Sequence, residues 1–185
     1  MRIIDLKPGD ADLIEQVARI LVEGFKEHWP EAWPTVEDAT NEVRESFLED
    51  RISRIAVDDE GRVIGWIGGQ PLYNGNVWEL HPLVVSTAAR GQGVGRALVA
   101  DLERLVMAKG ASTLFLGTDD EDNMTSLAGK DLYTGVWEHI GEIQNLRRHP
   151  FEFDLKLGFV IVGVMPDANG PGKPDIFMAK RLTRR

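Results

Sequence analysis

Between a β-rich stretch ending at Val85 and an amphipathic run over residues 93–108, the chain reads Arg90-Gly91-Gln92-Gly93-Val94-Gly95-Arg96. Glycines there let backbone amides approach a ligand closely, and they fall where a helix N-terminus leaves its first N–H groups unpaired. That arrangement is an anion site, most often for phosphate, and Arg90 and Arg96 add positive charge to it. The motif is neither a P-loop nor a G-x-G-x-x-G fingerprint, because position 96 is arginine. The alternative is a purely structural turn, which three alternating glycines with two arginines disfavour.

The rest of the chain fits around this strand–turn–helix unit. Residues 2–6 read as a strand ended by Pro8-Gly9, and 10–27 place Leu13, Ile14, Val17, Ile20, Leu21 and Phe25 at helical spacing. A second helix is expected from an N-cap at Thr35, with Asp38 three residues on, to about Leu48. The period then shortens: Ile52–Asp58 and Val63–Leu72 flank the turn Asp58-Asp59-Glu60-Gly61, and Asn74-Gly75 precedes a strand over Asn76–Val85. After the helix over 93–108 come a strand at Thr113–Gly117, an undecided region at 118–149, a helix at His149–Leu157, and strands at Phe159–Val164 and Asp175–Lys180. This is a mixed α/β order without strict alternation, which disfavours a TIM barrel or a regular Rossmann sheet. One domain, residues 1–185, is expected.

The chain holds no cysteine, which excludes disulfides, Cys-ligated metals and thiol nucleophiles. No metal site is expected. With 43% apolar and 28% charged residues the chain is globular, and no apolar run approaches the ~20 residues that span a bilayer. The N-terminus lacks the apolar stretch of a signal peptide, so a cytoplasmic location is expected. A net charge of −9 argues against nucleic acid and for cationic partners. Positive charge gathers at Arg90–Arg96, at Arg147–Arg148 and in the tail Lys180–Arg185.

In the strand ending at Val85, alternation puts Glu79, His81 and Leu83 on one face and Trp78, Leu80 and Val84 on the other. Glu79 is placed to accept a proton as general base, or else forms a cross-strand salt bridge. His81 is a further candidate for proton transfer, or a hydrogen-bonded structural histidine. Pro82 cannot donate to the ladder and predicts a bulge or an unpaired edge. The run Asp119-Asp120-Glu121-Asp122 follows a strand end and suits either a polycationic ligand or plain solvation.

The turn matches the Gln/Arg-x-x-Gly-x-Gly/Ala signature and resembles the GNAT superfamily of N-acetyltransferases. Trp78 to Val85, Leu116 to Asp120, Ile143 to Leu146, and Lys173-Pro174-Asp175-Ile176 through Ala179-Lys180 are similar to the aminoglycoside 6′-N-acetyltransferase branch of the chromosomal enterococcal type. The resemblance runs from about residue 15 to 181. It implies the GNAT fold, a central, mostly antiparallel sheet with a splayed parallel strand pair and flanking helices. It also implies acetyl-coenzyme A as co-substrate, its pyrophosphate cradled at Arg90, Gly91, Gln92, Gly93, Val94, Gly95 and Arg96. Leu83, Val84 and Val85 would line the pantetheine arm, with the Leu83 amide stabilising the reaction oxyanion. Trp29, Tyr73, Glu79 and Asp122 would contact an aminoglycoside, with Trp33 competing with Trp29. The resemblance further implies a homodimer joined through C-terminal strands.

The implied activity is direct acetyl transfer to the 6′-amine in a ternary complex, since no cysteine can carry the acetyl group. The alternatives are acetylation of another cationic amine, such as a polyamine or protein lysine, and a silent acyl-CoA-binding module. One position departs from the family. Many GNAT enzymes place a tyrosine four residues before a Gly-Phe/Tyr pair, where it protonates the departing thiolate. Here Asp154 stands there, before Gly158-Phe159. An exposed aspartate, near pKa ~3.9, is a poor acid at neutral pH. Either its pKa is raised, or water protonates the thiolate, or the thiolate leaves unaided; Asp154 equally reads as a surface residue, and the general acid stays unassigned.

Overall fold

Thr35 opens a helix as its spacing to Asp38 predicts. Its hydroxyl oxygen accepts the Asp38 amide at 3.1 Å while the hydroxyl proton is donated to the Asp38 carboxylate at 2.6 Å. The computed structural model describes residues 1–182, so residues 183–185 of the basic tail lie outside the described residues. The chain forms two compact units, Met1–Leu114 and the residues from Phe115 onward.

The first unit contains β1 (Arg2–Asp5), α1 (Ala11–Phe25), α2 (Val36–Glu45), β2 (Ile52–Val57), β3 (Val63–Leu72), β4 (Val77–Val85) and α3 (Val94–Ala108). Its four strands pair antiparallel in sequence order. Asp58 makes the β2–β3 turn, its Oδ1 accepting the amides of Glu60 and Arg62, both at 2.9 Å. The apolar stripes of α1 (Val17, Ala18, Leu21) and α2 (Ala39, Val43) share one buried cluster with Ile55 and Trp66. Trp66 satisfies its indole N–H on Ser53 Oγ at 3.0 Å. Helix α3 buries Val94, Leu98, Val99, Leu102 and Val106. Arg54 on β2 donates to Asp101 on α3 at 2.7 Å and to Asp5 on β1; partial burial alone would lower its pKa, and the two carboxylates outweigh that and raise it. That partly buried link ties β2 to the helix whose N-terminus is the glycine turn.

The chain enters the second unit within β5 (Thr113–Asp119) and continues through α4 (Val136–Gly141), α5 (Phe151–Lys156), β6 (Val160–Met165) and β7 (Asp175–Arg181). Its strands lie in the order β5-β7-β6, with β6 and β7 antiparallel. Helix α4 falls inside the region the sequence left undecided, and with 6 residues it is too short to show a period. No helix among the described residues is long and apolar enough to cross a membrane.

Candidate active site

Burial alternates along β4 as the sequence predicts. Trp78, Leu80 and Val84 are buried, while Glu79 and Leu83 are half-buried and His81 is exposed. The expected bulge is present: the pairing of β3 with β4 shifts between Ile67 and Gly69, which leaves Gly68 opposite His81 and Pro82, joined by a cis peptide bond. A Cβ on Gly68 would lie 2.2 Å from the His81 carbonyl oxygen. Gly68→Ala is therefore expected to destabilise the fold by about 1–3 kcal/mol, the usual cost of overpacking, measured by thermal unfolding.

Glu79 pairs directly across the ladder with Gln70, whose amide donates to its Oε2 at 2.5 Å. This removes the salt-bridge alternative, because the partner is neutral. Among the described residues no lysine, arginine or histidine forms an ion pair with Glu79, so its negative charge faces the half-open side of β4 uncompensated. Two residues along the same face, the half-exposed His81 places Nε2 at 3.7 Å from Glu42 Oε1. Glu42 lies on α2 and also accepts the Trp33 indole N–H at 3.3 Å. The Trp33 ring stands 6.1 Å from the His81 ring and packs edge-on against Phe25 at 4.7 Å. The Trp29 ring packs tilted against Phe25 at 5.6 Å and edge-on against His28 at 5.5 Å. Of the two competing tryptophans, Trp33 is thus in contact with β4 at His81. Tyr73 is largely exposed, in the turn before β4.

The glycine turn suits an anion. Gly91 and Gly93 have φ of 74° and 85°, and a Cβ at either would meet nothing within 4 Å. Gly93 is the N-cap of α3, no side chain caps that end, and the first turn carries no acidic residue. The first amides of α3 are left to a ligand or to water. Arg96 is exposed beside them, and the Gln92 amide donates to the Ala88 carbonyl at 2.8 Å. Arg90 is partly committed elsewhere: its guanidinium donates to the carbonyls of Val85 and Gly24, both at 3.3 Å, tying the end of β4 to the end of α1. These groups fit the pyrophosphate of a coenzyme A thioester.

In the second unit the acidic run is divided in its tasks. Asp120 is fully buried and accepts the Met124 amide at 2.6 Å, the Thr125 amide at 2.9 Å and the Thr125 hydroxyl at 2.7 Å. It staples a turn, so this one carboxylate of the run is neither offered to a polycation nor solvated. Asp119 accepts the Asn169 amide at 2.5 Å, and Asp122 is half-buried. Of the alternatives for Asp154, the raised pKa is the one its surroundings favour. The residue is not an exposed aspartate but only 6% exposed, with no hydrogen-bond donor on its carboxyl among the described residues. Burial pushes its pKa up from the ordinary 3.8 to about 7. An acid of that strength keeps its proton on a large share of molecules near neutrality, so the objection that this position holds a poor acid falls.

Residues 14–128 match the Acetyltransferase (GNAT) family. The chain is similar in structure to an aminoglycoside 6′-N-acetyltransferase complexed with coenzyme A, with 40% identity and a TM-score of 0.90, covering 100% of this chain and 99% of that one. It is similar to the aminoglycoside 6′-N-acetyltransferase from Enterococcus faecium, at 40% identity and a TM-score of 0.87 with the same coverage. A third similar structure is aminoglycoside 6′-acetyltransferase type Ii, with 34% identity and a TM-score of 0.75, covering 100% and 99%. No curated protein matches the chain. The chain belongs to the GNAT family of acetyltransferases and has its mixed α/β fold.

Proposed function

We propose that this protein is an acetyl-CoA-dependent aminoglycoside 6′-N-acetyltransferase whose two units act as a single catalytic domain. The observation that carries the reading is the end-to-end likeness to aminoglycoside 6′-N-acetyltransferases, one of them complexed with coenzyme A. Acetyl-CoA supplies an acetyl group activated as a thioester. The amides at Gly91–Arg96, with the Arg96 side chain, would hold its pyrophosphate, and Leu83, Val84 and Val85 its pantetheine arm. An ammonium group has no lone pair, so the acceptor must lose a proton before it attacks. Glu79 takes that proton: its charge is uncompensated and the Gln70 amide holds its carboxylate in place. The Leu83 N–H donates to the carbonyl oxygen that gains charge. Trp29, Tyr73 and Asp122 would line the acceptor, with His81 beside the base.

A homodimer and a cytoplasmic location belong to the same reading. Strand β6 lies at the edge of its sheet and exposes Val160, Val162 and Met165, an apolar edge that suits pairing with a second copy. The test is coenzyme A release from acetyl-CoA with a panel of amines, comprising kanamycin A, spermidine and a lysine peptide. Turnover confined to kanamycin A is expected. Preference for spermidine or the peptide would move the enzyme to another acceptor, and no turnover at all would leave a silent acyl-CoA-binding module.

A further inference from the structure

Of the acidic run 119–122, Asp120 is consumed inside the fold, while Asp122 stays among the expected acceptor contacts with Trp29, Tyr73 and Glu79. The first unit offers a different carboxylate. Glu42 sits on α2 next to Val43, which with Ala39 anchors that helix in the core. Its side chain is only 20% exposed, so its charge is partly stripped of water. One of its oxygens is fixed by the Trp33 indole, and the other lies beside the half-exposed His81 ring. Among the described residues neither lysine nor arginine neutralises it. A half-desolvated carboxylate held in place by an indole N–H is a group that takes an ammonium by a charge-assisted hydrogen bond. Glu79 lies two residues beyond His81 on the same face of β4, about 7 Å along the strand. Two carboxylates, Glu42 from α2 and Glu79 from β4, thus flank His81, and neither is paired with a lysine or arginine among the described residues.

We propose that Glu42, backed by Trp33, is an acceptor-binding residue that takes an ammonium group of the aminoglycoside other than the one being acetylated. This rests on the aminoglycoside reading of the site and adds a specificity-determining contact from α2. It explains why an acceptor with several amino groups would be preferred to one with a single amine.

The test compares wild type, Glu42→Gln and Glu42→Asp with two acceptors, kanamycin A and 6-amino-6-deoxyglucose, which keeps a single amine. Glutamine can still accept the Trp33 N–H but carries no charge. The KM for kanamycin A, and its dissociation constant by calorimetry, are expected to rise about tenfold in Glu42→Gln, the scale of one lost charge-assisted contact. The loss falls on KM rather than on kcat, and the KM for acetyl-CoA stays at the wild-type value, which also shows that the variant is folded. Added salt should weaken kanamycin binding less in Glu42→Gln than in wild type, Glu42→Asp should recover most of the loss, and the monoamine should show no penalty. An unchanged KM for kanamycin A overturns the proposal, as does an equal penalty on the monoamine. A fall in kcat alone also overturns it, because Glu42 would then act through His81. Wild-type protein that neither binds nor acetylates kanamycin A overturns the aminoglycoside function itself, and this contact with it.

Discussion

Glu79→Gln is expected to lower kcat by about 10²–10⁴-fold, roughly 3–5 kcal/mol of barrier, the range in which general bases contribute. The replacement keeps the shape of the side chain and an oxygen for the Gln70 amide, which now meets Glu79 Oε2 at 2.5 Å, and removes only the basicity. The KM for acetyl-CoA should not change, because the glycine turn that would hold it is a separate part of the unit. The deficit should shrink at high pH, where more of the acceptor amine is already neutral and needs no base. Steady-state kinetics across pH read both effects. A glutamine variant within about threefold of wild type at neutral pH would make Glu79 a binding residue and leave solvent to take the proton.

Asp154 carries the second large effect, on stability. Its pKa of about 7 in the folded protein lies above the ordinary 3.8 of an unfolded chain. Below pH 3.8 both states hold the proton and the group contributes nothing to the pH dependence. As pH rises from there, the unfolded chain ionises freely while the folded protein keeps its proton, so stability falls until pH passes about 7 and is then level. The full span corresponds to roughly 4 kcal/mol. Asp154→Asn cannot ionise, so chemical denaturation between pH 4 and pH 8 should show wild type losing stability relative to the variant. Parallel curves would show that the carboxyl is hydrated in the folded state and titrates normally.

Local features of the sequence carried most of what was legible. The Thr35 cap, the Asp58 turn, the alternating face of β4 and the bulge at Pro82 each depend on residues within a few positions, and each took the expected form. The glycine turn was legible because positive φ and an uncapped helix start are demands that glycine meets locally. Burial of a polar group was not legible, since it is decided by packing. Nothing near Asp154 marks it as enclosed, and nothing in the acidic run tells Asp120, wrapped by the Met124 and Thr125 amides, from its neighbours. Glu42 was invisible for a similar reason. Its contact with His81 joins a helix to a strand far apart in the chain, and on α2 alone it reads as one more solvated acid.

In the proposed reaction an aminoglycoside 6′-amine is the nucleophile. The most direct measurement is the NMR spectrum of the product formed by wild-type enzyme from acetyl-CoA and kanamycin A. One new acetyl group is expected, on the 6′ nitrogen, formed in step with release of coenzyme A. An acetyl group on any other nitrogen, or coenzyme A released with kanamycin A unmodified, would contradict it.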